Sequence, residues 1–186
     1  MPLVRGKNIE VLFSASAIEK RILELAKAIS QQGYDNLLIV SILKGSFVFA
    51  ADLIRALHDA DLAPEVEFIF LSSYGGGSAP GQVKLLRDIE SAVAGRDILI
   101  IDDILDSGNT LAFTRNLLMA RGANRVSIAV LLDKRKARKS GIEADFVGFV
   151  CPDRFVVGYG MDQAHAFREL PYVGAISESS IKAGAI

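Results

Sequence analysis

The sequence predicts an α/β fold: a doubly wound, mostly parallel central sheet with helices on both faces, and a small cap built from the N-terminal strand and the C-terminal tail. Three observations predict it. Short apolar runs without alternation (LLIVSIL at 37–43, ILII at 98–101, VSIAVLL at 126–132) read as strands buried on both faces, as in parallel sheets. Stretches with apolar residues at helical spacing stand among them. Outside this alternation the chain holds only short strand-like runs and turns. The 186 residues are enough for one domain, with its core at about 16–150 and its cap from about 1–15 and 151–186.

Taken in order, IEVLF at 9–13 is a short strand. Ser16 and Glu19 have capping-box spacing, and Ile18, Ile22, Leu25 and Ile29 continue a helix that Gly33 stops. Strand 37–43 runs into the tight turn LKGS at 43–46, and a helix follows with Phe47, Ala50, Ile54 and Leu57 on one face. Val66, Phe68 and Phe70 alternate, which predicts a strand over 65–73. The segment 72–81, SSYGGGSAPG, reads as a mobile loop. After strand 98–101 comes a helix over 110–121 ending at Gly122, then strand 126–132 and the basic run KRKARK. The tail alternates short strands with turns.

Bulk properties narrow the function. Hydrophobic residues make up 51% of the chain, and its net charge of −1 provides no field to recruit nucleic acid or an anionic membrane. A single cysteine, Cys151, excludes an intramolecular disulfide and fits a reducing compartment; in its apolar setting it reads as an inert packed thiol. No signal-peptide core and no membrane-length apolar run occur, so a soluble, cytoplasmic protein is expected. His58 and His165 read as surface or capping residues.

The chemistry concentrates in ILIIDDILDSGNTL at 98–111. An apolar strand ends in Asp102 and Asp103, Asp106 follows, and the small turn Ser107-Gly108-Asn109-Thr110 opens a helix. Ligands of open α/β sheets sit beyond the carboxyl ends of strands. Backbone N–H groups at a helix N-terminus suit a phosphate, whereas the neighbouring carboxylates would repel it unless they grip hydroxyls, a metal or a proton. A sugar phosphate meets both demands.

The segment IIDDILDSGNT resembles the phosphoribosyl pyrophosphate signature of type I phosphoribosyltransferases. LKGS at 43–46, SSYGG at 72–76, LLDKR at 131–135 and RFVVGYGMDQAHAFREL at 154–170 extend the resemblance to the 6-oxopurine branch of that family. The resemblance implies an enzyme of purine salvage that joins hypoxanthine or guanine to phosphoribosyl pyrophosphate, releasing IMP or GMP and pyrophosphate. It also implies the residue roles. Asp102 and Asp103 hold the ribose hydroxyls and Mg²⁺; many members carry Glu where this chain has the shorter Asp102. Asp106 is the general base for the purine N7, a role worth roughly 10²–10⁴-fold. Asp106, Ser107, Gly108, Asn109 and Thr110 cradle the 5′-phosphate, with Asn109 where some members have lysine. Lys44 and Gly45 form the pyrophosphate loop, in which the Leu43–Lys44 peptide is often cis, and Arg168 clamps pyrophosphate. Lys134 donates to the 6-oxo group, Phe155 stacks on the purine, Val156 offers backbone groups to its edge, and Asp162 belongs to the purine site and helps hold a second Mg²⁺. Ser73 and Tyr74 belong to a lid that excludes water.

The resemblance further implies small-molecule partners only, and a homodimer or homotetramer paired near the pyrophosphate loop. A regulator of the same fold would need a nucleic-acid-binding surface. Arg135, Lys136, Arg138 and Lys139 read as a solvated loop, and the chain keeps Lys134 and Arg168. A xanthine- or guanine-preferring enzyme of the same class stays open, because base preference depends on backbone positions around 156–162.

Overall fold

The structure, a computed structural model, describes residues 1–73, 83–136 and 140–176. Its elements are β1 (Leu3–Val4), β2 (Lys7–Phe13), α1 (Ala15–Ser30), β3 (Leu38–Leu43), α2 (Phe47–Asp59), β4 (Glu65–Ser73), β5 (Val83–Arg87), β6 (Asp97–Leu105), α3 (Asn109–Ala120), β7 (Arg125–Asp133), β8 (Phe146–Val150), β9 (Val156–Val157) and β10 (Val173–Ile176). The main sheet has the order β5-β4-β3-β6-β7-β8, parallel except for β5 at one edge. A second, antiparallel sheet, β1-β2-β10-β9, joins the first strands to the last and forms the cap.

Alternation along the central strands explains the two layers. Ile39 of β3 and Leu99 and Ile101 of β6 pack with α1 and α2 through Ile18, Ile22, Leu25, Phe49 and Leu53. Leu38, Val40, Ile98 and Ile100 point the other way, onto Leu111 and Leu118 of α3. Both faces of one strand are therefore core, which is why the sequence shows an unbroken apolar run. The cap has a separate cluster of Ile9, Val157, Phe167 and Ile176. It is pinned to the main sheet by Phe13, which stacks on Phe149 at 4.3 Å between ring centres.

After β3 the chain winds outward through α2 to β4, whereas β6 lies on the other side of β3 and winds through α3 to β7. The carboxyl ends of β3 and β6 thus flank the switch point, where an open sheet leaves a crevice.

Three local expectations are corrected and one strand is added. Strand β6 does not stop at Ile101. It runs to Leu105, because β7 continues beside it and keeps the ladder paired at Asp102 with Val130 and at Ile104 with Leu132. Helix α1 is capped by Ser14, whose Oγ accepts from the Ala17 N–H at 3.2 Å; Ser16 already lies inside the first turn. Phe47 is 44% exposed at the start of α2, and the buried stripe is instead Phe49, Ala50, Leu53, Ala56 and Leu57. The edge strand β5 was not foreseen: only Val83 and Leu85 pack inward, too short a pattern to stand out. No helix of the described residues is long and apolar enough to cross a membrane.

Candidate active site at the switch point

The turn after β3 is held from beneath. Ser46 is fully buried, and its Oγ lies 2.8 Å from the Ser41 Oγ and bonds back to the Ile42 carbonyl. This tether presents Leu43-Lys44-Gly45 at the sheet edge, with the Leu43–Lys44 peptide cis. The exposed Lys44 ammonium lies 5.4 Å from the centre of the Phe70 ring. Gly45 abuts the acid pair so closely that a Cβ there would fall 1.8 Å from the Asp103 Oδ2. No larger residue fits unless the carboxylate moves.

Asp102 and Asp103 sit side by side at the end of β6. The Asp102 carboxylate accepts the Asp103 N–H at 3.0 Å. Burial and the neighbouring Asp103 charge hold the Asp102 carboxyl well above the usual carboxylate range. Burial also raises Asp103, against the pull of its hydrogen bonds and of Arg168. Among the described residues no group of three or more His, Cys, Asp or Glu side chains is placed to enclose a metal.

One step on, Gly108 adopts φ +82° and caps α3, a position that favours glycine for its backbone and also for its space: a Cβ would lie 2.0 Å from the Ser140 Oγ. Ser140 braces the turn by donating both its N–H and its hydroxyl to the Ser107 carbonyl, each at 3.1 Å. The first-turn N–H groups of α3 have no intrahelical acceptor and form the positive end of its dipole. Ser107, Asn109 and Thr110 are all half-buried there.

Asp106 and Lys134 face each other, the Asp106 Oδ2 standing 3.7 Å from the Lys134 Nζ. Lys134 is only 7% exposed, and its N–H is fixed to the Leu105 carbonyl at 2.9 Å, so the ends of β6 and β7 are locked in register. Asp106 is exposed. Cys151 is buried nearby, and burial pushes its thiol above the ordinary value, in keeping with a packed role.

The cap supplies the remaining residues. Phe155 presents a ring that is 46% exposed, while Val156 is buried and pairs with Ala175. Arg168 donates to the Gly160 carbonyl at 2.6 Å and to Asp162 at 2.8 Å. The second Asp162 oxygen accepts the His165 N–H at 2.7 Å. Lys44, Gly45, Asp102, Asp103 and Arg168 thus gather at one side of the crevice and Asp106 with Lys134 at the other. Ser73 is the last residue of β4, paired with Val83; Tyr74 and the rest of the expected lid lie outside the described residues, as do Arg138 and Lys139. His58 and His165 are exposed. Sequence reasoning missed Ser140 and Gly160; the Gly-Tyr-Gly at 158–160 was the one available signal of a tight approach there.

The family model described as phosphoribosyl transferase domain matches residues 8–164. The chain belongs to the phosphoribosyltransferase family. This phosphoribosyltransferase is 44% identical to the hypoxanthine-guanine phosphoribosyltransferase of Bacillus subtilis, over 90% of its own length and 92% of that protein's. It is 41% identical to the hypoxanthine phosphoribosyltransferase of Escherichia coli K12, over 91% and 96% of the two chains. Among solved structures it resembles a hypoxanthine phosphoribosyltransferase from Staphylococcus aureus (TM-score 0.85, 40% identity, 92% of both chains). It also resembles the Trypanosoma cruzi hypoxanthine phosphoribosyl transferase (TM-score 0.90, 36% identity, 98% of both chains).

Proposed function

We propose that this enzyme transfers the 5-phosphoribosyl group from phosphoribosyl pyrophosphate to hypoxanthine and guanine, giving IMP or GMP and pyrophosphate in purine salvage. The observation that carries the choice of base is the pair formed by Asp106 and Lys134. A 6-oxopurine protonated at N7 presents the 6-oxo acceptor and the N7–H donor side by side on one edge. A buried ammonium with donors only, next to a carboxylate with acceptors only, matches that edge. Adenine would set its 6-amino donor against the Lys134 donor, and a site that leaves a buried group unpaired rejects a mismatched ligand strongly.

The remaining roles follow from position. Asp106 takes the N7 proton as the glycosidic bond forms. The α3 N-terminus, with Ser107, Gly108, Asn109 and Thr110, holds the 5′-phosphate through first-turn N–H groups that have no acceptor within the helix. Asp102 and Asp103 orient the ribose hydroxyls, Lys44, Gly45 and Arg168 receive the pyrophosphate, Phe155 stacks on the base, and Val156 lines its edge. Ser73 and Tyr74 belong to the closure over the site. The carboxylates also suit Mg²⁺: a buried and a half-buried acid side by side, both with raised proton affinity, are what a hard cation relieves, and such an ion takes one or two carboxylates and completes its shell with water and substrate phosphate. Asp102 and Asp103, with Asp162 for a second ion, would hold it, and when bound it would neutralise charge on the departing pyrophosphate. The enzyme works in the cytoplasm, and the region around the pyrophosphate loop pairs subunits into a homodimer or homotetramer.

Turnover with hypoxanthine, guanine, xanthine and adenine at saturating Mg²⁺ and phosphoribosyl pyrophosphate tests the reading. Hypoxanthine and guanine should turn over and adenine should fall behind by roughly 10⁴-fold in kcat/KM. Efficient use of adenine would refute it, and Lys134→Ala should erase the discrimination.

A further inference from the structure

The pyrophosphate side of the crevice is braced by a contact outside it. Gly158, Tyr159 and Gly160 all have positive φ, at +96°, +50° and +97°. The backbone alone would favour glycine at all three, yet the middle position carries a large aromatic. Its ring is buried in the core beside α1 and α2, and its hydroxyl donates to Asp52 of α2. Burial and the Asp52 carboxylate both push the phenol far above its ordinary pKa, so it remains a donor at any working pH.

The neighbours of Tyr159 touch the site directly. Gly160 lies against the Gly45 carbonyl, where a Cβ would come within 2.3 Å. The Gly160 carbonyl accepts from Arg168, the Gly160 N–H donates to the Arg168 carbonyl at 3.1 Å, and the Tyr159 N–H donates to the Leu170 carbonyl at 2.8 Å. The segments 158–160 and 168–170 are thereby tied together, with Gly45 packed on one side and Arg168 held on the other. The phenol anchors that unit to α2, the helix that begins just after the Lys44–Gly45 turn.

We propose that Tyr159, through its hydrogen bond to Asp52, is a positioning residue that sets the Lys44–Gly45 turn and Arg168 at the spacing that binds the pyrophosphate group of phosphoribosyl pyrophosphate. This rests on the assignment of Gly45 and Arg168 to pyrophosphate made above. Neither Tyr159 nor Asp52 touches substrate; they act through Gly160.

Steady-state kinetics of Tyr159→Phe, Asp52→Ala, the double variant and Arg168→Gln, varying each substrate in turn, tests the proposal alongside the thermal midpoint of each. Tyr159→Phe and Asp52→Ala should each raise KM for phosphoribosyl pyrophosphate about tenfold, with kcat and KM for hypoxanthine kept within about twofold. The double variant should be no worse than either single, because Tyr159→Phe removes the donor and Asp52→Ala the acceptor of the same bond. If Arg168→Gln raises that KM but the two singles do not, the positioning role is overturned and the site assignment stands. If Arg168→Gln also leaves it unchanged, the site assignment itself fails. A lower thermal midpoint with reduced kcat and both KM values intact would make Tyr159 a purely structural residue and overturn the proposal.

Discussion

At Asp102 stability and function pull in opposite directions. An aspartate buried beside a second aspartate costs the empty protein free energy whenever it is ionised. Its folded pKa lies above the unfolded value, so the cost is absent below about pH 4 and grows as pH rises toward the folded value. Asp102→Asn removes it. Urea denaturation at pH 7 should show that variant more stable by about 1–2 kcal/mol, with a flatter dependence on pH, while its turnover falls sharply. Asp106 behaves differently, since it is exposed and faces Lys134 across 3.7 Å. Asp106→Asn keeps the shape and removes the basicity, and kcat should drop by roughly 10²-fold or more with affinity for phosphoribosyl pyrophosphate largely kept. A near-normal kcat in presteady-state and steady-state assays would take the role of base away from Asp106.

Among the elements, those whose two faces are both core were legible in the sequence, because burial on both sides leaves an apolar run that nothing else explains. Strands β3, β6 and β7 are of this kind. The reach of β6 through two acids was not legible, since its ladder partner in β7, far along the chain, decides it. Strand β5 escaped because an edge strand with one packed face carries only two inward residues. Within the site, the turn at 106–110 could be read locally, for its small residues and its helix start are adjacent in sequence. The pairing of Asp106 with Lys134 and the brace from Ser140 to Ser107 join separate segments and had no local trace. That brace explains a sensitivity of the turn. Gly108→Ala would collide with Ser140 and strain a left-handed backbone. It should raise KM for phosphoribosyl pyrophosphate about tenfold or more while leaving purine affinity close to normal, as isothermal titration with a nucleotide product and with free base would separate.

Across the molecule, the end of the sheet opposite the crevice does the holding. Asp97 opens β6 there, 3% exposed, and accepts from the Asp35 N–H at 3.0 Å, from Asn124 at 2.8 Å and from Arg125 at 2.7 Å. Burial pushes its carboxyl up, but these three donors outweigh it and hold the group below the usual aspartate range. Its contribution is therefore full above about pH 4 and is lost as pH falls through the folded value. Asp97→Ala should cost about 2–3 kcal/mol at pH 7 and should remove part of the acid-induced loss of stability, measured by denaturant titration from pH 3 to pH 7. The cap has a different consequence, one of timing. Strand β2 is made before the main sheet, and β10, the neighbour that joins it to β9, is made after it. The main sheet, with its crevice at the switch point, can assemble while β2 waits with one edge open. The cap is thus completed only after the main sheet, and a nascent chain halted before β10 would carry Asp106 and Lys134 on its crevice while Phe155 and Val156 still lacked the strand that seats them.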